Sequence, residues 1–133
     1  MYRDVYSGHL KLTGEHETTL IAANNYASTL NGLQRFGEAR SLVRRTMPLV
    51  RRILGEGHRL TLKMRWLYAQ TLYGDPAATL DDLREAVTTL EDTERTTRRV
   101  LGGTHPMAVQ IDESLQEARA HLRALEKPPP GDD

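Results

Sequence analysis

Apolar residues recur along this chain at steps of three and four. That spacing places them on one face of a helix. Thr18 to Asn31 carries Ala23, Tyr26, Ala27 and Leu30, with Leu33 following, and Gly32 is a suitable helix end. A second stripe runs through Phe36, Ala39, Leu42, Val43, Thr46 and Val50. Pro48 lies inside it, and its missing N–H and its crowding of the Arg44 carbonyl predict a kink. A third helix carries Leu60, Met64, Leu67, Tyr68 and Leu72 and is closed by Gly74-Asp75-Pro76. A fourth carries Leu80, Leu83, Ala86, Val87 and Leu90 and runs on to Val100-Leu101. Its polar, threonine-rich middle, Thr88 to Thr97, reads as exposed. After Thr104 as expected cap and Pro106 in the first turn, Ala108, Ile111, Leu115, Ala118, Leu122 and Leu125 form one narrow stripe. The rest of that helix is polar, as the terminal cap of a helical stack must be. No stretch alternates apolar and polar residues as a half-buried strand would.

The helices are punctuated by a recurring segment. It reads Lys11-Leu12-Thr13-Gly14-Glu15-His16, then Ile53-Leu54-Gly55-Glu56-Gly57-His58, then Val100-Leu101-Gly102-Gly103-Thr104-His105. Recurrence at such a period marks stacked supersecondary units. The expected fold is therefore all-α, a right-handed α-solenoid of stacked antiparallel helix pairs with a C-terminal capping helix. Residues 1–126 form one domain in this reading: a partial unit at 1–12, a first pair at 15–54, a second pair at 57–101 and the capping helix at 104–126. Residues 127–133, Lys-Pro-Pro-Pro-Gly-Asp-Asp, form a disordered tail. Residues 2–12 align with 44–54, the end of a second helix, so the partner helix expected before them is missing. The chain then reads as a piece of a longer array or as a stack with an unusual cap, with an apolar edge open at its N-terminal end.

Composition narrows the function classes. Eighteen basic and eighteen acidic residues cancel, so no global field favours nucleic acid or membrane. The absence of cysteine excludes disulfides, thiolate metal sites and cysteine nucleophiles. Apolar runs are too short to span a bilayer, and residues 1–15 show no secretory signal. The expectation is a soluble cytoplasmic protein.

Thr19-Leu20-Ile21-Ala22-Ala23-Asn24-Asn25-Tyr26-Ala27, then Phe36-Gly37-Glu38-Ala39, then Arg51-Arg52-Ile53-Leu54-Gly55-Glu56-Gly57-His58 carry a resemblance. They resemble the 42-residue tetratricopeptide repeats of kinesin light chains. The second unit matches at Tyr68-Ala69, Leu72, Glu85-Ala86 and Val100-Leu101-Gly102, with five extra residues near Asp75–Thr79. The resemblance implies a protein-interaction module or adaptor that holds a peptide or protein segment on the concave face, built from the first helix of each pair. It implies inner-face candidates Ile21, Asn24, Asn25, Ser28 and Asn31 in the first unit and Lys63, Trp66, Gln70 and Tyr73 in the second. The peptide-binding set is Asn24, Asn25, Ser28, Asn31, Lys63, Trp66, Gln70 and Tyr73. Asn and Gln pair with any peptide backbone, Trp66 is a stiff apolar anchor, and Lys63 and Arg65 would attract a carboxylate. The other reading of Trp66 is packing between helices, and Asn24 and Asn25 could cross-link neighbours. Tyr26, Tyr68, Leu30 and Leu72 sit at repeat-core positions. The paired asparagines become Trp66-Leu67 in the second unit, so the cargo preferences of kinesin light chains do not transfer.

Charge is segregated. Glu38 to Arg65 holds Arg40, Arg44, Arg45, Arg51, Arg52, Arg59, Lys63 and Arg65 against two acids; Asp75 to Glu94 holds seven acids against Arg84. This predicts pairing between successive units along the outer face or self-association through opposite-charge faces or the open N-terminal edge. The runner-up function is nucleic-acid binding through Arg40–Arg65, opposed by the adjacent acidic helix and scarce aromatics. Of the five histidines, three recur one per unit, a spacing too wide for one zinc ion. They are expected to bond their own turns or cap the next helix. No phosphate-cradle or nucleophile-elbow motif occurs, so neither catalysis nor a cofactor is expected.

Overall fold

In the computed structural model, residues 8–127 are described, with side chains from residue 17 onward. They form five helices and no strand: α1 (Gly8–Gly32), α2 (Phe36–Leu54), α3 (Arg59–Tyr73), α4 (Leu80–Leu101) and α5 (Pro106–Glu126). Consecutive helices pack against each other, and α3 also touches α1 and α5. The odd helices thus form one row and α2 and α4 another, which is the layout of a helical-repeat stack. The expected tail, apart from Lys127, and the first seven residues of the expected partial unit lie outside the described residues.

The core follows this layout. Leu20, Ala27, Val43, Met47, Val50, Leu60, Met64 and Leu67 form one cluster. Leu62, Ala69, Leu72, Tyr73, Leu83, Ala86, Leu90, Met107, Ile111, Leu115 and Ala118 form the other. Helix α3 supplies both, from opposite faces, which is why ten of its fifteen residues are buried. The stripe predicted for α5 is buried at Ala108, Ile111, Leu115 and Ala118 and fades to the half-exposed Leu125.

Three local expectations are corrected. First, α1 runs unbroken through the first copy of the recurring segment, which is therefore no turn. The other two copies end their helices on Gly55 (φ 89°, ψ 162°) and Gly102 (φ 94°, ψ 151°), a region essentially reserved for glycine. Counted back from the histidine, the corresponding residue in the first copy is Thr13, β-branched and unsuited to positive φ. Helix α1 does end at Gly32, and the left-handed residue that closes it is Gln34 (φ 64°). Arg35 N donates to Leu30 O at 2.8 Å and Gln34 N to Asn31 O at 3.0 Å, a Schellman closure. Second, Thr93 and Thr97 are fully buried. Their hydroxyls donate to the Thr89 and Thr93 carbonyls at 2.6 and 2.7 Å, so the side chains enter the interior with their polar atoms satisfied. Third, the cap of α5 is His105, not Thr104.

The α3–α4 connection absorbs the five additional residues. Asp75 accepts from Ala77 N at 2.9 Å. Thr79 and Asp82 then close a reciprocal capping box at the start of α4. Those hydrogen bonds, the Thr79 backbone N–H first, hold the Asp82 carboxyl below its ordinary range. Helix α2 continues through Pro48 to Leu54.

Candidate functional site

The two glycine–histidine turns are near copies of each other. After Gly55 and Gly102, His58 and His105 leave helical geometry and each offers Nδ1 to the backbone N–H two residues on, Leu60 or Met107, at 3.0 Å. This is the capping role expected of the histidines. An Nδ1 that accepts leaves the proton on Nε2. That proton faces the preceding odd helix: His58 Nε2 lies 3.8 Å from Glu17 Oε2, and His105 Nε2 lies 3.4 Å from Arg59 Nη2. Glu17 and Arg59 hold the same place in their repeats, yet one complements the imidazole N–H and the other opposes it. The side chains of His9 and His16 lie outside those described. His121 stacks obliquely on Tyr73 with ring centroids 5.9 Å apart. Among the described residues, no group of three or more His, Asp or Glu could hold a metal ion.

The row α1–α3–α5 carries the residues proposed to meet a partner. Asn25, Ser28 and Lys63 are exposed, and Asn24, Asn31, Trp66 and Gln70 are half-buried. The Asn24 and Asn31 side-chain oxygens are buried with no hydrogen-bond partner among the described residues. Trp66 does the packing weighed for it: its body packs on the α3–α4–α5 cluster and its indole N–H donates to Ser114 Oγ at 2.9 Å. Tyr73 is only 6% exposed, and burial pushes its phenol pKa up. Because α5 covers it, Tyr73 offers a partner almost nothing and leaves the set. Sequence reasoning missed Ser114, whose only signal was its place one turn from the apolar stripe of α5.

Tyr68 links the two rows. Its hydroxyl accepts from Arg44 Nη2 at 3.1 Å and donates to Glu85 Oε2, while the Arg44 guanidinium carbon lies 5.6 Å from the ring centroid. Burial raises the phenol pKa; the Glu85 bond adds to this and Arg44 opposes it. The expected pairing between units is thus present, and Arg40 strengthens it. Arg40 Nη2 donates both to Asp75 Oδ2 and to the Thr71 carbonyl near the end of α3, each at 3.1 Å. Tyr26, the counterpart of Tyr68, is 58% exposed rather than packed. No described helix precedes α1 to cover it.

The basic run does not make one continuous basic face. Arg40 and Arg44 are engaged as above, and Arg51 and Arg65 both reach Glu56, at 3.0 and 3.5 Å. Arg65, expected beside Lys63 on the inner face, is instead buried and lines a recess of about 310 Å³ between α2 and α4. Among the described residues, no helix is long and apolar enough to cross a membrane.

Helix hairpins stacked with their first helices in one row and their second helices in another define a helical-repeat protein. Residues 19–60, from the middle of α1 to the start of α3, match the tetratricopeptide repeat family. Those residues carry a tetratricopeptide repeat. No curated protein and no solved structure matches it.

Proposed function

We propose that this chain is a protein-interaction module that holds a peptide or protein segment against the row α1–α3–α5. Tetratricopeptide repeats generally mediate contacts between proteins and form a scaffold rather than a catalyst. The observation that carries the reading is Trp66, half-exposed on the middle helix of that row and locked in place by its bond to Ser114. A preorganised aromatic loses little freedom on binding and suits the centre of an interface. Asn25, Ser28 and Gln70 on the same row offer donors and acceptors to an extended backbone, and Lys63 attracts an acidic residue. The 42-residue period shared with kinesin light chain repeats supports the same mode of use, in the cytoplasm.

The experiment is a selection of displayed random peptides on the full chain, followed by affinity measurements. Lys63→Glu with Asn25→Ala should weaken the selected peptides about tenfold or more. Arg52→Glu, on the other row, should leave them unchanged. Equal binding by both variants would refute the inner row as the site. Trp66→Ala is a poorer test because it also removes packing against α5.

A further inference from the structure

The recess between α2 and α4 is lined by Val43, Met47 and Pro48 on one side and by Glu85 and Thr89 on the other, with Arg65 and Tyr68 at its floor. At about 310 Å³ it lies at the lower end of the range of ligand pockets. Arg65 is the unusual element. It is 8% exposed, and its Nε is buried without an acceptor among the described residues. Burying a guanidinium is costly unless its charge and donors are matched. Among the described residues, its only ion pair is the 3.5 Å contact with Glu56, whose side chain is 57% exposed. Arg51 uses the same carboxylate. Two guanidinium groups therefore share one solvated counter-ion, while Arg44 and Glu85 neutralise each other through Tyr68. Among the lining residues and Glu56, the balance leaves one positive charge on the guanidinium groups of a partly apolar recess.

We propose that this outer-face recess binds the carboxylate of a protein partner, carried on a short apolar stem, with Arg65 and Arg51 holding the anion and Met47, Val43 and Pro48 enclosing the stem. A single residual charge suits a monoanion better than a phosphate dianion. The apolar wall would be wasted on a bare ion. The site is separate from the inner row, so its failure would leave the peptide-binding reading standing.

The test follows the Arg Nε–Hε resonances of the isotope-labelled full chain during titration with hexanoate, hexanamide or inorganic phosphate at matched ionic strength. Hexanoate should shift the Arg65 resonance saturably, and hexanamide and phosphate should bind at least about tenfold more weakly, as expected for loss of a charge-assisted hydrogen bond or of the buried stem. Arg51→Gln, an exposed change that keeps the fold, should weaken hexanoate about tenfold, and Arg65→Met should abolish its binding. No saturable shift, equal binding of hexanamide or phosphate, or an unaltered hexanoate affinity in Arg51→Gln would each overturn the proposal. Those outcomes do not depend on Arg65→Met folding.

Discussion

The first and second helix pairs share a sequence plan but not an environment. Tyr26 and Tyr68 are counterparts 42 residues apart, as are Leu30 and Leu72. In the second pair, Tyr68 joins α2 to α4 through Arg44 and Glu85. In the first pair, Tyr26 is exposed, and Glu38, the counterpart of Glu85, turns to Arg35 at 2.8 Å. Helix α3 is covered from four sides, by α1, α2, α4 and α5. The difference shows that in a stack the neighbours of a residue decide its burial as much as its own type does. A unit with helices on either side is finished by them; a unit with no described helix on one side keeps the same residues in water.

Core truncation should give the largest contrast. Leu72→Ala leaves a hole enclosed by α3, α4 and α5 and should cost about 4 kcal/mol, whereas Leu30→Ala borders an open groove that can relax and should cost about 2 kcal/mol. Urea unfolding measures both, and equal or reversed costs would break the contrast. Tyr68→Phe removes the hydroxyl that joins Arg44 to Glu85 and should cost about 1 kcal/mol, against roughly zero for Tyr26→Phe. A matching loss at Tyr26 would mean that its surroundings resemble those of Tyr68 after all.

A gain of stability is expected at the first hairpin. Gln34 holds a left-handed conformation that costs a non-glycine residue about 1 kcal/mol. Gln34→Gly should recover most of this, read as a raised melting temperature, and an unchanged value would refute the strain.

The smallest effect concerns the joint of α4 and α5. Glu94 is the counterpart of Met47 and so occupies a core register. Burial and the nearby Asp112 carboxyl push its pKa up. A raised folded-state pKa favours the protonated form, so the stability it supplies is full below the unfolded carboxyl pKa and is lost as pH rises through the folded value. Glu94→Gln should therefore stabilise the chain by about 0.5 kcal/mol at neutral pH. The gain should vanish as pH falls below the ordinary carboxyl value of about 4.3. A gain that persists in acid would mean that charge is not its cause.

Periodicity made the helices legible because an amphipathic stripe must be buried whichever helix buries it. The glycine–histidine turns were legible because left-handed backbone demands glycine and a cap demands a side-chain acceptor. Thr13 carried the information that the first copy is not such a turn, but it emerges only when the copies are aligned on their histidines. The threonines of α4 misled because a hydroxyl satisfied by its own helix can enter a core, which no polarity scale records. Ser114, Tyr73 and Arg65 could not be placed from sequence, since their roles depend on α5 and α4 closing over α3. The chain by itself determined the helices, their punctuation and the repeat to which they belong, all set by local geometry and apolar spacing. Tertiary packing alone decided which of two equivalent residues meets water, because burial depends on the helix lying opposite.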